Sequence, residues 1–221
     1  MFQYVALVLT VLCLAASPAL AGFTEGKNAY QEKDWGKALA ELRPAVDAGD
    51  DRAMFLLGKM YETGTGVTQS FQEALSLYKR AASEKNNTDA MVAIGLIWNS
   101  TAGIRQDIKT ALKWFHHAAQ LGNGTGAYYY AAIISGGTKT PVKDIPLDYY
   151  TAYKWFRIAV TADPEHSHYR GASENLALSL SMHKLKAADV AKADNEIKAW
   201  KPLPPASLGP LPPFPEIAAA R

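Results

Sequence analysis

Metal- and proton-handling side chains crowd together at one place in this chain. Asp163, Glu165, His166, Ser167 and His168 fall within six residues. Imidazole and carboxylate are the ligand types of zinc, copper or nickel, so a metal site is the chemistry such a run would support. A polar connection between two helices has the same composition, and that reading is preferred. His116 and His117 are adjacent; on a helix they point about 100° apart, make poor joint ligands, and belong on an outer face. The run Gly122-Asn123-Gly124-Thr125-Gly126 lacks the Gly-Lys-Ser/Thr ending that sets a lysine on phosphate, and is read as a helix stop and turn. Neither a Gly-x-Ser-x-Gly elbow nor a His-Glu-x-x-His run occurs. The expectation is a protein that is not an enzyme, with no catalytic, cofactor-binding or metal-binding residue.

Composition narrows the partner. A formal net charge of +2 over 221 residues, with the positive charge spread along the chain, disfavours nucleic acid and acidic membranes. The 48% hydrophobic and 20% charged content is that of an ordinary globular protein. Cys13 is the only cysteine, and it lies in Met1–Ala21, a stretch without Lys, Arg, Asp or Glu. Val5–Ala16 has the length of a signal-peptide core, and Ala19-Leu20-Ala21 the small-x-small form of a cleavage site. A basic residue near the start is missing, and an uncleaved anchor is the competing reading, though the apolar run is short for a span. Leu12 before Cys13 argues against lipid attachment. Residues 1–21 are expected to be a signal peptide, with the mature chain periplasmic or secreted and without cysteine. Packing alone would then hold the fold.

The elements that must position any site are written as a repeat. Ala53, Gly58 and Ala74 recur 37 residues later as Ala90, Gly95 and Ala111, and Ala81-Ala82 as Ala118-Ala119. A period of this size is the mark of a solenoid of helix pairs, whose units cannot bury their apolar faces alone. The first unit runs from a helix at Phe23–Trp35 to a second bearing Ala38, Leu42 and Val46, with Pro44 inside it and Gly49 after it. The second carries Ala53, Leu57 and Tyr61, a Gly64–Val67 loop, and a helix capped by Ser70. The third repeats this with Asp107 as cap and Gly122 as terminator. The fourth is placed at Ala127, again 37 after Ala90, with Ala132 where Gly95 stood, Asp148 as cap, and insertions of about four residues before and after Trp155-Phe156. Helices at Ala172–His183 and Ala187–Trp200 would close the stack. Seven of twelve prolines fall in the last twenty-one residues, so 201–221 is expected to be a disordered proline-rich tail.

The motif Ala53, Leu57, Gly58, Tyr61, Gly64, Gly66, Val67, with its second half Asp107, Ala111, Trp114, Phe115, Ala118, Ala119, Gly122, resembles the Sel-one-like repeat, a relative of the tetratricopeptide repeat. The likeness covers about Asp51–Trp200 within a repeat domain of 22–200. It implies an all-α, right-handed solenoid of about four helix pairs plus a C-terminal capping pair. It also implies an adaptor for a protein or peptide partner, in envelope signalling, polysaccharide export or host contact. The alternative it leaves is a cell-wall-acting, β-lactamase-like hydrolase, an activity attributed to cysteine-rich relatives whose paired cysteines are missing here. In this repeat class the first helices line the concave side. Tyr128-Tyr129-Tyr130 fan over about 200° of a helix, so one or two should reach that surface as anchors. The expected partner-binding set is Met54, Leu56, Met91, Tyr128 and Tyr130, with packing between units the competing explanation.

Overall fold

The computed structural model describes residues 18–100, 105–137, 144–162 and 167–213. Within them the chain is all helical. The helices are α1 (Pro18–Gln31), α2 (Trp35–Asp47), α3 (Asp51–Thr63), α4 (Phe71–Lys85), α5 (Thr88–Asn99), α6 (Ile108–Gln120), α7 (Gly124–Ile134), α8 (Tyr149–Ala162), α9 (Ser167–His183) and α10 (Ala187–Ala199). From α1 to α8 consecutive helices pack as antiparallel pairs, and the pairs stack into an α-solenoid. Among the expected boundaries, α9 begins at Ser167 rather than Ala172, and Trp35 opens α2 rather than closing α1, because Asp34 caps it by accepting from the Lys37 N–H at 3.0 Å.

Two devices repeat through the stack. Each odd helix from α3 to α7 starts at an Asp or Asn whose side-chain oxygen accepts a backbone N–H three residues on. Asp50 takes Ala53, Asn87 takes Ala90 and Asn123 takes Gly126. The even helices use Ser70, Asp107 and Asp148 in the same way. The second device is a socket. A Cβ at Gly58 would stand 2.6 Å from the Tyr78 ring, and one at Gly95 would stand 2.6 Å from the Phe115 ring. An aromatic side chain of the second helix thus presses on the bare backbone of the first, with Tyr78, Trp114 and Phe115 almost fully buried.

The caps correct the register of the fourth unit. Asn123 lies 36 residues after Asn87, not 37, so Gly126 rather than Ala127 matches Ala90. Ala131, fully buried, then stands in the place of Gly95, and half-buried Ala132 matches half-buried Leu96. The extra residue lies in the α4 step, which runs 17 residues from cap Ser70 to cap Asn87 against 16 from Asp34 to Asp50 and from Asp107 to Asn123.

The last pair does not form as expected. α9 packs on α8 as a new first helix would, but α10 also packs on α8 instead of closing against α9. Tyr153 donates to Asp194 at 2.8 Å and Tyr150 to Glu196 at 2.9 Å, while Lys154 pairs with Glu196. Burial, then Asp194, pushes the Tyr153 hydroxyl up to about 12. Beyond α10 the proline-rich segment, expected to run clear of the core, turns back along the molecule. Trp200 meets Trp155 edge-on, Pro202 lies against Gly122, and the Leu203 N–H donates to the Gln120 carbonyl at 2.8 Å. A short turn at Pro205–Ser207 follows, and Leu211 then packs against the core of the earlier units. Residues 214–221 lie outside the described residues, as do 1–17.

Candidate functional site: the inner groove

The odd helices form the inner layer. Backbones of α1 and α3, of α5 and α7, and of α7 and α9 approach closely, whereas α2, α4 and α6 keep further apart from one another. Helix pairs that touch through their first members and splay at their second curve towards the first. Within that layer α3 and α5, tied at their N-terminal ends by the Asn87–Asp51 hydrogen bond, flank a groove of about 390 Å³. One wall comes from Phe55, Lys59 and Glu62 of α3, the other from Val92, Ala93 and Leu96 of α5. Tyr78 of α4 supplies the floor, and Asp89, Thr125 and Tyr169 close one end.

Local geometry fixes these side chains. Phe55 packs on the Tyr78 ring at 5.6 Å between centroids, and the Tyr78 hydroxyl donates to Glu62 at 2.7 Å. Burial, followed by the Glu62 charge and that hydrogen bond, drives the phenol far above its ordinary value, so it stays a donor. Tyr169 is tied to α7 by its hydroxyl, 2.8 Å from that of Tyr129, and its ring lies 4.8 Å from Tyr128. Asp89 accepts from the Asn123 side chain at 2.9 Å, which also reaches the Thr88 hydroxyl at 3.1 Å. Asn87 does the same one unit earlier, donating to Asp51 at 2.7 Å. Cap residues therefore join neighbouring first helices as well as starting them.

The structure redistributes the expected binding set. Met54 and Met91 are 0% exposed and belong to the core, so they offer nothing to a partner. Leu56 packs at the margin of that core. Tyr130 turns towards the second helices, stacked on His116 at 4.4 Å and edge-on to Trp155 at 5.9 Å. Tyr128 is half-buried beside Tyr169 and alone of the five stands next to the groove. The helical period explains the misplacement: residues 54 and 56 lie about 200° apart and cannot share a face, whereas 55, 59 and 62 fall on one line.

His116 and His117 are not on an open face either. His116 is sandwiched by Tyr130 and Trp155, and burial, then His117, holds its imidazole below the usual value. Burial lowers His117 likewise. Asp163, Glu165 and His166 lie outside the described residues, and the side chains of Ser167 and His168 do too. Among the described residues no group of three His, Cys, Asp or Glu converges on a metal position, and no helix is long and apolar enough to cross a membrane.

Comparison with known proteins agrees with this architecture. Residues 51–86, 88–123 and 126–164 each match the Sel1 repeat, and together they make up half of the chain. The chain belongs to the Sel1 repeat family. Among solved structures it is similar to a Sel1 repeat protein from Oxalobacter formigenes. The two are 24% identical with a TM-score of 0.55, over 82% of this chain and 73% of that one. It is also similar to c5321, a protective antigen of uropathogenic Escherichia coli with the same repeat fold. There the identity is 20% and the TM-score 0.47, over 82% of this chain and 45% of that one. These likenesses concern the fold. No curated protein matches the chain.

Proposed function

We propose that this protein is a non-enzymatic adaptor that holds an extended segment of a partner protein in the groove between α3 and α5. The observation that carries the reading is the groove between two inner helices. It lies over a buried tyrosine, with Phe55, Val92, Ala93 and Leu96 lining the space. Apolar walls with a charged rim are the usual anatomy of a peptide site, and rigid aromatic side chains lose little entropy on binding. The sequence of Met1–Ala21 supports export, with the mature chain beginning at Gly22 in the periplasm or outside the cell. Sequencing the N-terminus of the exported protein tests that part; a chain still beginning at Met1 overturns it.

The groove itself is tested with a photo-crosslinking residue at Leu96, exported from the native host, with the same residue at exposed Leu178 as control. The expected result is one discrete crosslinked partner from position 96 and none from 178. Ala93→Trp, which fills the groove, should abolish the product while leaving the helical circular dichroism unchanged. A product of equal yield from both positions, or one that survives Ala93→Trp, overturns the reading.

A further inference from the structure

We propose that the Asp89 end of this groove seats a basic side chain, lysine or arginine, of the bound segment; the inference rests on the groove-binding reading above. The charges around the space decide it. Lys59 and Glu62 stand three residues apart on one face of α3, so their charges offset each other. Lys59 occupies the repeat position of Leu96, seven residues beyond Asp89, which sets it about 10 Å further along the helix direction. Among the described residues that line the groove, the charge left without a charged side-chain partner is the Asp89 carboxylate.

Among the described residues none forms an ion pair with it. Ion pairs among the described residues join Arg52 to Asp50, Arg80 to Glu84, Lys109 to Asp144, Lys154 to Glu196 and Arg170 to Glu174, leaving Asp89 out. Arg52 holds the equivalent position one repeat earlier and is the natural candidate. It is turned away, bonded to both oxygens of Asp50 and lying 4.4 Å over the Phe23 ring. Asn123 donates to Asp89 and fixes its carboxylate without neutralising it. A ring lines the same end, that of Tyr169, and an aromatic face attracts a cation. Beside it the Thr125 hydroxyl offers an acceptor, and Val92 and Ala93 offer an apolar track for the stem of a long side chain.

The test uses two labelled peptides, Leu-Ala-Arg-Ala-Leu and Leu-Ala-Glu-Ala-Leu with blocked ends, titrated with the mature protein at low ionic strength by fluorescence anisotropy. The arginine peptide should bind about fivefold more tightly than the glutamate peptide, as one partly exposed pair with a ring beside it predicts. Asp89→Asn, which keeps the acceptor for Asn123, should bring the two affinities together, and Lys59→Gln should leave the preference in place. Equal affinities in the wild type, a preference that survives Asp89→Asn, or no binding of either peptide overturns the inference. Crosslinking from Leu96 then separates a groove that holds a partner of other chemistry from one that holds none.

Discussion

Two glycines show how single atoms hold this solenoid together. Gly58 and Gly95 each lie under the edge of an aromatic ring, Tyr78 in one unit and Phe115 in the next. Adding a methyl group there forces the ring or the helix to move, and overpacking of this kind costs about 1–3 kcal/mol. Gly95→Ala should lower the urea midpoint accordingly, while Gly171→Ala, with open space around the added Cβ, should leave it unchanged or slightly raised. Equal effects from the two would show that the socket does not matter. The 37-residue spacing made these glycines legible as a pair before any coordinates, because two helices can cross closely only where a side chain is missing. The groove was not legible in the same way. It depends on how two inner helices face each other across a space, and nothing in the apolar pattern distinguishes the α3–α5 step from the α5–α7 step. Lys59 and Asp89 were unremarkable for the same reason: a surface charge acquires meaning only from what faces it across a gap.

At the scale of the helix, the caps carry register and pH response together. Burial raises the Asp50 carboxyl, but the Arg52 side chain and the Ala53 and Arg52 backbone N–H groups outweigh it and hold the group below its ordinary 3.8. Asp107 is lowered in the same way, the Thr110 side chain and its backbone N–H overcoming burial. Each carboxyl takes up a proton more readily in the unfolded chain than in the folded one. Their contribution to stability is therefore full above pH 3.8, and is lost as the pH falls through the lower folded value. Between pH 7 and pH 3 the wild type should lose more of its urea midpoint than the Asp50→Asn/Asp107→Asn double variant, since asparagine still caps but does not titrate. Identical acid sensitivity would remove the caps from the account. Asp107 and Asp148 were readable in advance from their place before a periodic helix. Asn123 was hidden inside a glycine-rich run that reads as a turn, which is why the fourth unit was set one residue too late.

Across the whole molecule, the C-terminal segment matters out of proportion to its composition. A proline-rich stretch has no helix or strand to form and reads as a free end. Here it is fastened by Pro202 on Gly122, by the Leu203 N–H on Gln120, and by Leu211 on the core. Ending the chain at Trp200 should lower the melting temperature by about 3–6 °C, the effect expected for one or two partly buried apolar side chains in a domain of this size. A truncated protein melting with the wild type would show that the fastening contributes nothing. The stack of pairs was visible from the period, whereas the docking of α10 on α8 and the return of the tail were not, because both depend on surfaces the repeat creates only once it is folded.

The groove between α3 and α5 has a mechanical side. A coil changes pitch when a gap between its turns is filled, and this groove is such a gap. A segment lodged there would stiffen that turn and fix the pitch of the coil, so the distance between the two ends of the molecule would report, as a length, whether the protein is occupied.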